Sequence, residues 1–184
     1  QTLAAEDVGD KSTAIGTYAL YSQNSDSDNE DTGNTGLGYG SGFYNVTGQN
    51  NTYLGYNAGF GATGQSNSGN TGVGKDALLS ITTGGPNTVV GSNAGDAITI
   101  GTYNVVMGHN ALTSETVGDR STAIGDHCMF SQVSDSDNET TGNTGVGQKA
   151  GYYNVTGTNN TYLGYGAGFG ASGQSNSENT AVGS

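Results

Sequence analysis

Apolar residues recur along the chain in one short phrase, Asn/Ser-Thr-x-aliphatic-Gly, separated by polar and glycine-rich stretches. It reads "STAIG" at Ser12, "NTGLG" at Asn34, "NTYLG" at Asn51, "NTGVG" at Asn70 and "NTVVG" at Asn87. It continues as "NVVMG" at Asn104, "STAIG" at Ser121, "NTGVG" at Asn143, "NTYLG" at Asn160 and "NTAVG" at Asn179. Alternation over so few residues predicts a short strand, with Thr and the aliphatic residue on one face and x on the other. Glycine ends every copy, as a corner with positive φ or a close backbone approach demands. Two variable residues follow, then a small one (Ala58, Ala77, Ala94 and Ala111 in four successive copies), which predicts a tight inward slot.

The intervals between successive copies are 22, 17, 19, 17, 17, 17, 22, 17 and 19. Six units make a superperiod that carries Ser12 onto Ser121, and the stretch 8–75 matches 117–184 at 49 of 68 positions. A unit of about 17 residues is too short for a helical-hairpin repeat or a propeller blade and fits one coil of a solenoid. The expected fold is all-β, a parallel β-solenoid or β-roll forming a single repeat array over 1–184, with superperiod copies at 8–116 and 117–184. At ~4.8 Å between stacked strands, ten motifs make a rod about 45 Å long, with Asn and Ser side chains laddered along it. The two longest units carry acidic inserts at 23–32 and 132–141, expected as loops bulging from one coil. Both ends stop in mid-pattern, so the chain reads as a piece of a longer fibre or as one subunit whose ends neighbours cover.

Conventional burial turns the larger aliphatic residues inward. The expected core is then Ile15, Leu37, Leu54, Val73, Val90, Met107, Ile124, Val146, Leu163 and Val182. The x residues point outward in this phase, yet they are mostly small or apolar, such as Ala14, Gly36, Val89, Ala123 and Gly145, with Tyr53 and Tyr162 as exceptions. An outer face of that kind implies packing against sister chains, hence a homo-oligomer.

Composition supports a thin core: 34 of 184 residues are glycine and only 32% are hydrophobic. The net charge of −12 repels phosphate backbones and anionic lipid, which excludes nucleic acid as a partner. No apolar run approaches the ~20 residues of a membrane helix, so no membrane insertion is expected.

The run of "NTAVG", "STAIG" and "NTGVG", the latter two followed by two variable residues and then a small one, resembles the head repeats of trimeric autotransporter adhesins. It is also similar to repeats in phage tail fibres and virion fibres. The resemblance implies a left-handed roll in a homotrimer, on a virion or a bacterial cell surface, with the corner glycines and inner-strand positions as scaffold. The coils here are longer than the family's, and the acidic inserts are additional.

Candidate chemistry is sparse. Asp26, Asp28 and Glu30, repeated as Asp135, Asp137 and Glu139, offer several oxygens in a flexible loop and are candidate calcium ligands. The sixth position lacks the glycine of an EF-hand loop, and no other cofactor is expected. Tyr39, Tyr44, Tyr56, Tyr153 and Tyr165 are candidate receptor contacts, since tyrosine brings contact area at little entropic cost. Cys128 occupies the small-residue slot and reads as core, and His109 and His127 read as surface residues.

These features point to an extracellular structural and adhesive fibre, a rod displaying a surface for a cell-surface glycan or protein receptor. The alternative is a self-assembling filament or sheath subunit without a receptor. No enzyme is expected, because close carboxylate pairs occur only in the inserts. Threonine ladders also mark ice-binding solenoids, but here Thr shares the face assigned to the core.

Overall fold

The structure is a computed structural model that describes residues 2–4, 11–24, 31–137, 139–171 and 175–183. Every motif forms a three-residue strand: β1 (Thr13–Ile15), β2 (Thr35–Leu37), β3 (Thr52–Leu54), β4 (Thr71–Val73), β5 (Thr88–Val90), β6 (Val105–Met107), β7 (Thr122–Ile124), β8 (Thr144–Val146), β9 (Thr161–Leu163) and β10 (Thr180–Val182). The ten strands make one parallel sheet in strict chain order. Register follows the motif, with Thr71 opposite Thr88, Gly72 opposite Val89 and Val73 opposite Val90. The architecture is a parallel β-solenoid of roughly 17-residue coils, as the spacing predicts.

Each coil is tied to both neighbours by its backbone. The Thr88 N–H donates to the Asn104 carbonyl of the next coil (2.8 Å), and the Gly91 N–H donates to the Val73 carbonyl of the previous one (2.8 Å). The same pair of bonds recurs along the sheet. The corner glycines serve both purposes anticipated for them. Gly91 has φ of 143°, and a Cβ there would lie under 3.0 Å from the Gly108 carbonyl.

An asparagine precedes eight of the ten strands; seven of these, all but Asn179, are buried and brace the coils. Asn70 Oδ1 accepts the backbone N–H of Asn87 (2.9 Å), and Asn87 Oδ1 accepts that of Asn104 (2.9 Å). Its amide nitrogen donates to a carbonyl 14 residues on, at the far end of the same coil: Asn87 to Gly101 (2.8 Å) and Asn104 to Gly118 (2.9 Å). One side chain thus closes its own coil and fastens the next. Only an amide offers an acceptor and two donors in so small a group. Serine replaces asparagine in the insert-bearing coils, and a glutamine arriving from the insert compensates. Gln132 donates to Ser121 Oγ (2.9 Å) and accepts from Asn143 Nδ2 (2.9 Å). Gln23 does the same for Ser12 and Asn34.

The strand faces are the reverse of the sequence expectation. The x residues point into the coil: Gly36, Tyr53, Gly72, Val89, Val106, Ala123, Gly145 and Tyr162 are all buried. The aliphatic positions assigned to the core face outward. Ile15, Leu37, Leu54, Met107, Leu163 and Val182 are exposed, at 40 to 73%, and Val73, Val90, Ile124 and Val146 are half-buried. The reason is the width of the interior. Leu20, Leu78, Leu112 and Met129, with the alanine slot, already fill the coil from the opposite side. A Cβ on Gly36 would press against Leu20 and Ser41. Tyr53 enters only because Gly36 and Gly72 lie above and below it, and Gly42 and Gly59 flank its ring. Its hydroxyl donates to Asn67 Oδ1 (2.5 Å), and burial raises its pKa.

Gly91→Ala is expected to cost about 3 kcal/mol, from the unfavourable φ and the backbone collision together. Gly64 also has positive φ, 75°, but nothing within 4 Å of a built Cβ, so Gly64→Ala should cost about 1 kcal/mol. Urea unfolding of both variants checks this; equal losses would show that coil-to-coil approach is not what the corner glycine protects.

Candidate functional site

Two surfaces and one side-chain cluster carry chemistry. The first surface is the outward sheet face. Nine of its ten strands place a threonine in one column, with Val105 in β6, and all ten place an aliphatic residue in the second. Parallel register keeps both columns straight. The result is an exposed strip of alternating methyl and hydroxyl groups running the length of the sheet.

The second surface is aromatic. Tyr21, Phe43 and Phe60 stack with centroids 4.9 and 5.0 Å apart, one ring per coil. Phe130, Tyr152 and Phe169 repeat the column in the second copy at 5.2 and 5.3 Å. Beside the first column, exposed Tyr39 and Tyr56 stack nearly parallel, 5.3 Å apart at 11°. Tyr44 packs edge-on against Phe43 and Phe60, and Tyr153 against Tyr152 and Phe169. Tyr165 projects at 62% exposure. A groove of about 510 Å³ opens between these rings, lined by Tyr18, Tyr21, Tyr39, Phe43, Tyr56, Asn57 and Phe60. Asn57 Oδ1 is buried there without a hydrogen-bond partner. The groove therefore brings together two of the five tyrosines singled out in the sequence, Tyr39 and Tyr56. It adds Tyr18, Tyr21, Phe43 and Phe60, whose one-coil spacing was the available signal.

The acidic inserts divide. Asp26, Asp28 and Glu30 lie outside the described residues. Asp135, Asp137 and Glu139 do not converge as calcium ligands: the Glu139 carboxylate turns back to accept the Asp135 backbone N–H (2.8 Å). Among the described residues, the one trio of metal-ligating side chains with ligand atoms within 4.8 Å of one another is His109, Asp126 and His127. In the sequence the two histidines read as unrelated surface positions. His109 and Asp126 stand one above the other on successive coils, so the stacking itself brings them together. His109 Nδ1 lies 3.0 Å from Asp126 Oδ1 and His127 Nδ1 lies 2.9 Å from it. The Gln148 amide donates to Asp126 Oδ2 (2.9 Å), and with the His109 contact it holds the carboxyl down at about 2.

No protein-family model, curated protein or solved structure matches the chain. Function therefore rests on the chemistry of these surfaces.

One buried carboxylate went unnoticed in the sequence. Glu115, fully buried, accepts the N–H groups of Thr116, Val117, Gly118 and Ser134 through Oε1 and the Gln132 amide through Oε2. Five donors replace its lost hydration, a structural use of charge. Cys128 lies in the small-residue slot with its thiol buried, and desolvation pushes it up to about 12. A thiol-disulfide exchange reagent at pH 8 should leave the native chain unmodified and take up one equivalent after denaturation. Rapid reaction in the native state would place Cys128 at the surface instead.

Proposed function

We propose that this chain is a segment of an extracellular structural and adhesive fibre, on a virion or bacterial surface, whose outward sheet face packs against sister chains. The observation that carries the reading is the aliphatic column. Ten large apolar side chains in one straight line, most of them exposed, form a continuous strip of the kind that soluble monomers avoid. Threonine methyl groups beside it widen the apolar strip, and none of the ten strands contains a lysine or arginine. The resemblance to trimeric adhesin heads supports a homotrimer of left-handed rolls around that face. The aromatic groove then lies on the rod's flank, where stacked tyrosine faces suit the apolar face of a sugar ring or a protein side chain. Its lining holds no carboxylate, histidine or cysteine, and we assign the chain no catalytic step.

A second reading rests on the same face. Its outward threonine column removes the objection to ice binding, since the hydroxyls and methyl groups stand in register along an open surface. The two readings differ in mass. Light scattering on the 18.4 kDa chain should give three times that value. Leu54→Lys with Leu163→Lys should return it to one chain without loss of β-sheet circular dichroism. A wild-type monomer contradicts the assembly reading, and thermal hysteresis from that monomer would establish the second.

A further inference from the structure

From the His109–Asp126–His127 cluster we infer a transition-metal site that fastens two successive coils of the solenoid, taking zinc or a similar divalent ion of the first row. The chain has only two histidines in 184 residues, and the fold sets both against one carboxylate oxygen. A nitrogen and an oxygen bonded to one ion at about 2.1 Å lie about 3.0 Å apart at the right angle of an octahedral site and about 3.4 Å apart at the tetrahedral angle. The observed separations are 3.0 and 2.9 Å. His109 Nδ1 shares a hydrogen bond with that oxygen, whereas His127 Nδ1, equally close and buried, makes none. Asp126 Oδ1 therefore lies off the in-plane direction of the ring's lone pair. That is the placement of two neighbouring ligands of one ion, and it is a poor one for a proton shared between them.

The surroundings fix the ligands. Gln148 occupies Asp126 Oδ2 and leaves Oδ1 facing both imidazoles. The His127 ring lies against Phe130, with centroids 5.3 Å apart, at the end of the second aromatic column. Coordination at Nδ1 puts the His127 proton on Nε2. The Asn110 side-chain amide, 3.3 Å from that atom, can turn its oxygen to receive it. One superperiod earlier the positions of Asp126 and His127 hold Thr17 and Tyr18, so the site belongs to one place on the rod. Three protein ligands leave further positions to water, and the ion links the corner after β6 to the corner after β7.

The test uses the full chain, free of any histidine tag, titrated with ZnCl₂ and CoCl₂. One equivalent of Zn²⁺ should bind, raise the melting temperature and shift the imidazole proton resonances of both histidines. Co²⁺ should develop a visible ligand-field spectrum. His109→Gln and His127→Gln should each weaken binding at least tenfold with circular dichroism unchanged, and Asp135→Asn should leave it unaltered. Absence of Zn²⁺ uptake at millimolar concentration overturns the proposal. So does uptake undiminished in the double histidine variant, or uptake by the wild type that leaves both imidazole resonances unmoved.

Discussion

The structure depends on a buried asparagine ladder. A solenoid coil has two problems: its ends must be held together, and its polar backbone must be satisfied without a thick apolar interior. One side chain per coil addresses both, because the amide oxygen takes a backbone N–H of the next coil while the amide nitrogen holds a carbonyl of its own. Each bond contributes only about 1 kcal/mol net, but breaking one buried partner strands the other at a cost of roughly 1–3 kcal/mol. The ladder is therefore much more costly to interrupt than its individual bonds suggest. Where serine breaks it, at Ser12 and Ser121, a buried glutamine from the insert restores the connection.

A closed, thin coil has consequences for the faces of its sheet. With alanine and leucine filling one side, the strand can send inward only what fits the remaining gap: Gly36, Val89, Ala123, or a tyrosine bracketed by glycines. The larger aliphatic residues are displaced outward. The strand count, the strand positions, the corner glycines and the parallel order were all legible in the motif spacing. The facing was not, because period-two alternation identifies two faces without saying which is inside. The usual rule, larger hydrophobe inward, fails where the interior is narrower than a leucine pair. The alternation Gly36–Tyr53–Gly72 held the answer: a ring flanked by glycines above and below is the mark of an enclosed column.

Surface chemistry became visible only after stacking. Tyr39 and Tyr56, His109 and Asp126, Phe43 and Phe60 are distant in sequence and neighbours in space, each pair offset by a single coil. Reading residues as isolated positions hid these columns, and the histidines looked incidental for that reason. Glu115 was missed for another one: three of its five donors are backbone N–H groups of its own turn and the other two arrive from the next coil, which composition does not reveal. In a repeat of this kind, substitutions along one column are the place where a uniform scaffold acquires specific chemistry.

Hydrogen exchange by NMR tests the ladder most directly. The backbone N–H groups of Asn70, Asn87 and Asn104, each bonded to the asparagine oxygen of the coil before, should be among the slowest in the chain and exchange only through global unfolding. Exchange of these three at the rate of the insert residues 135–137 would contradict the account, since the coils would then be held by something other than the asparagines.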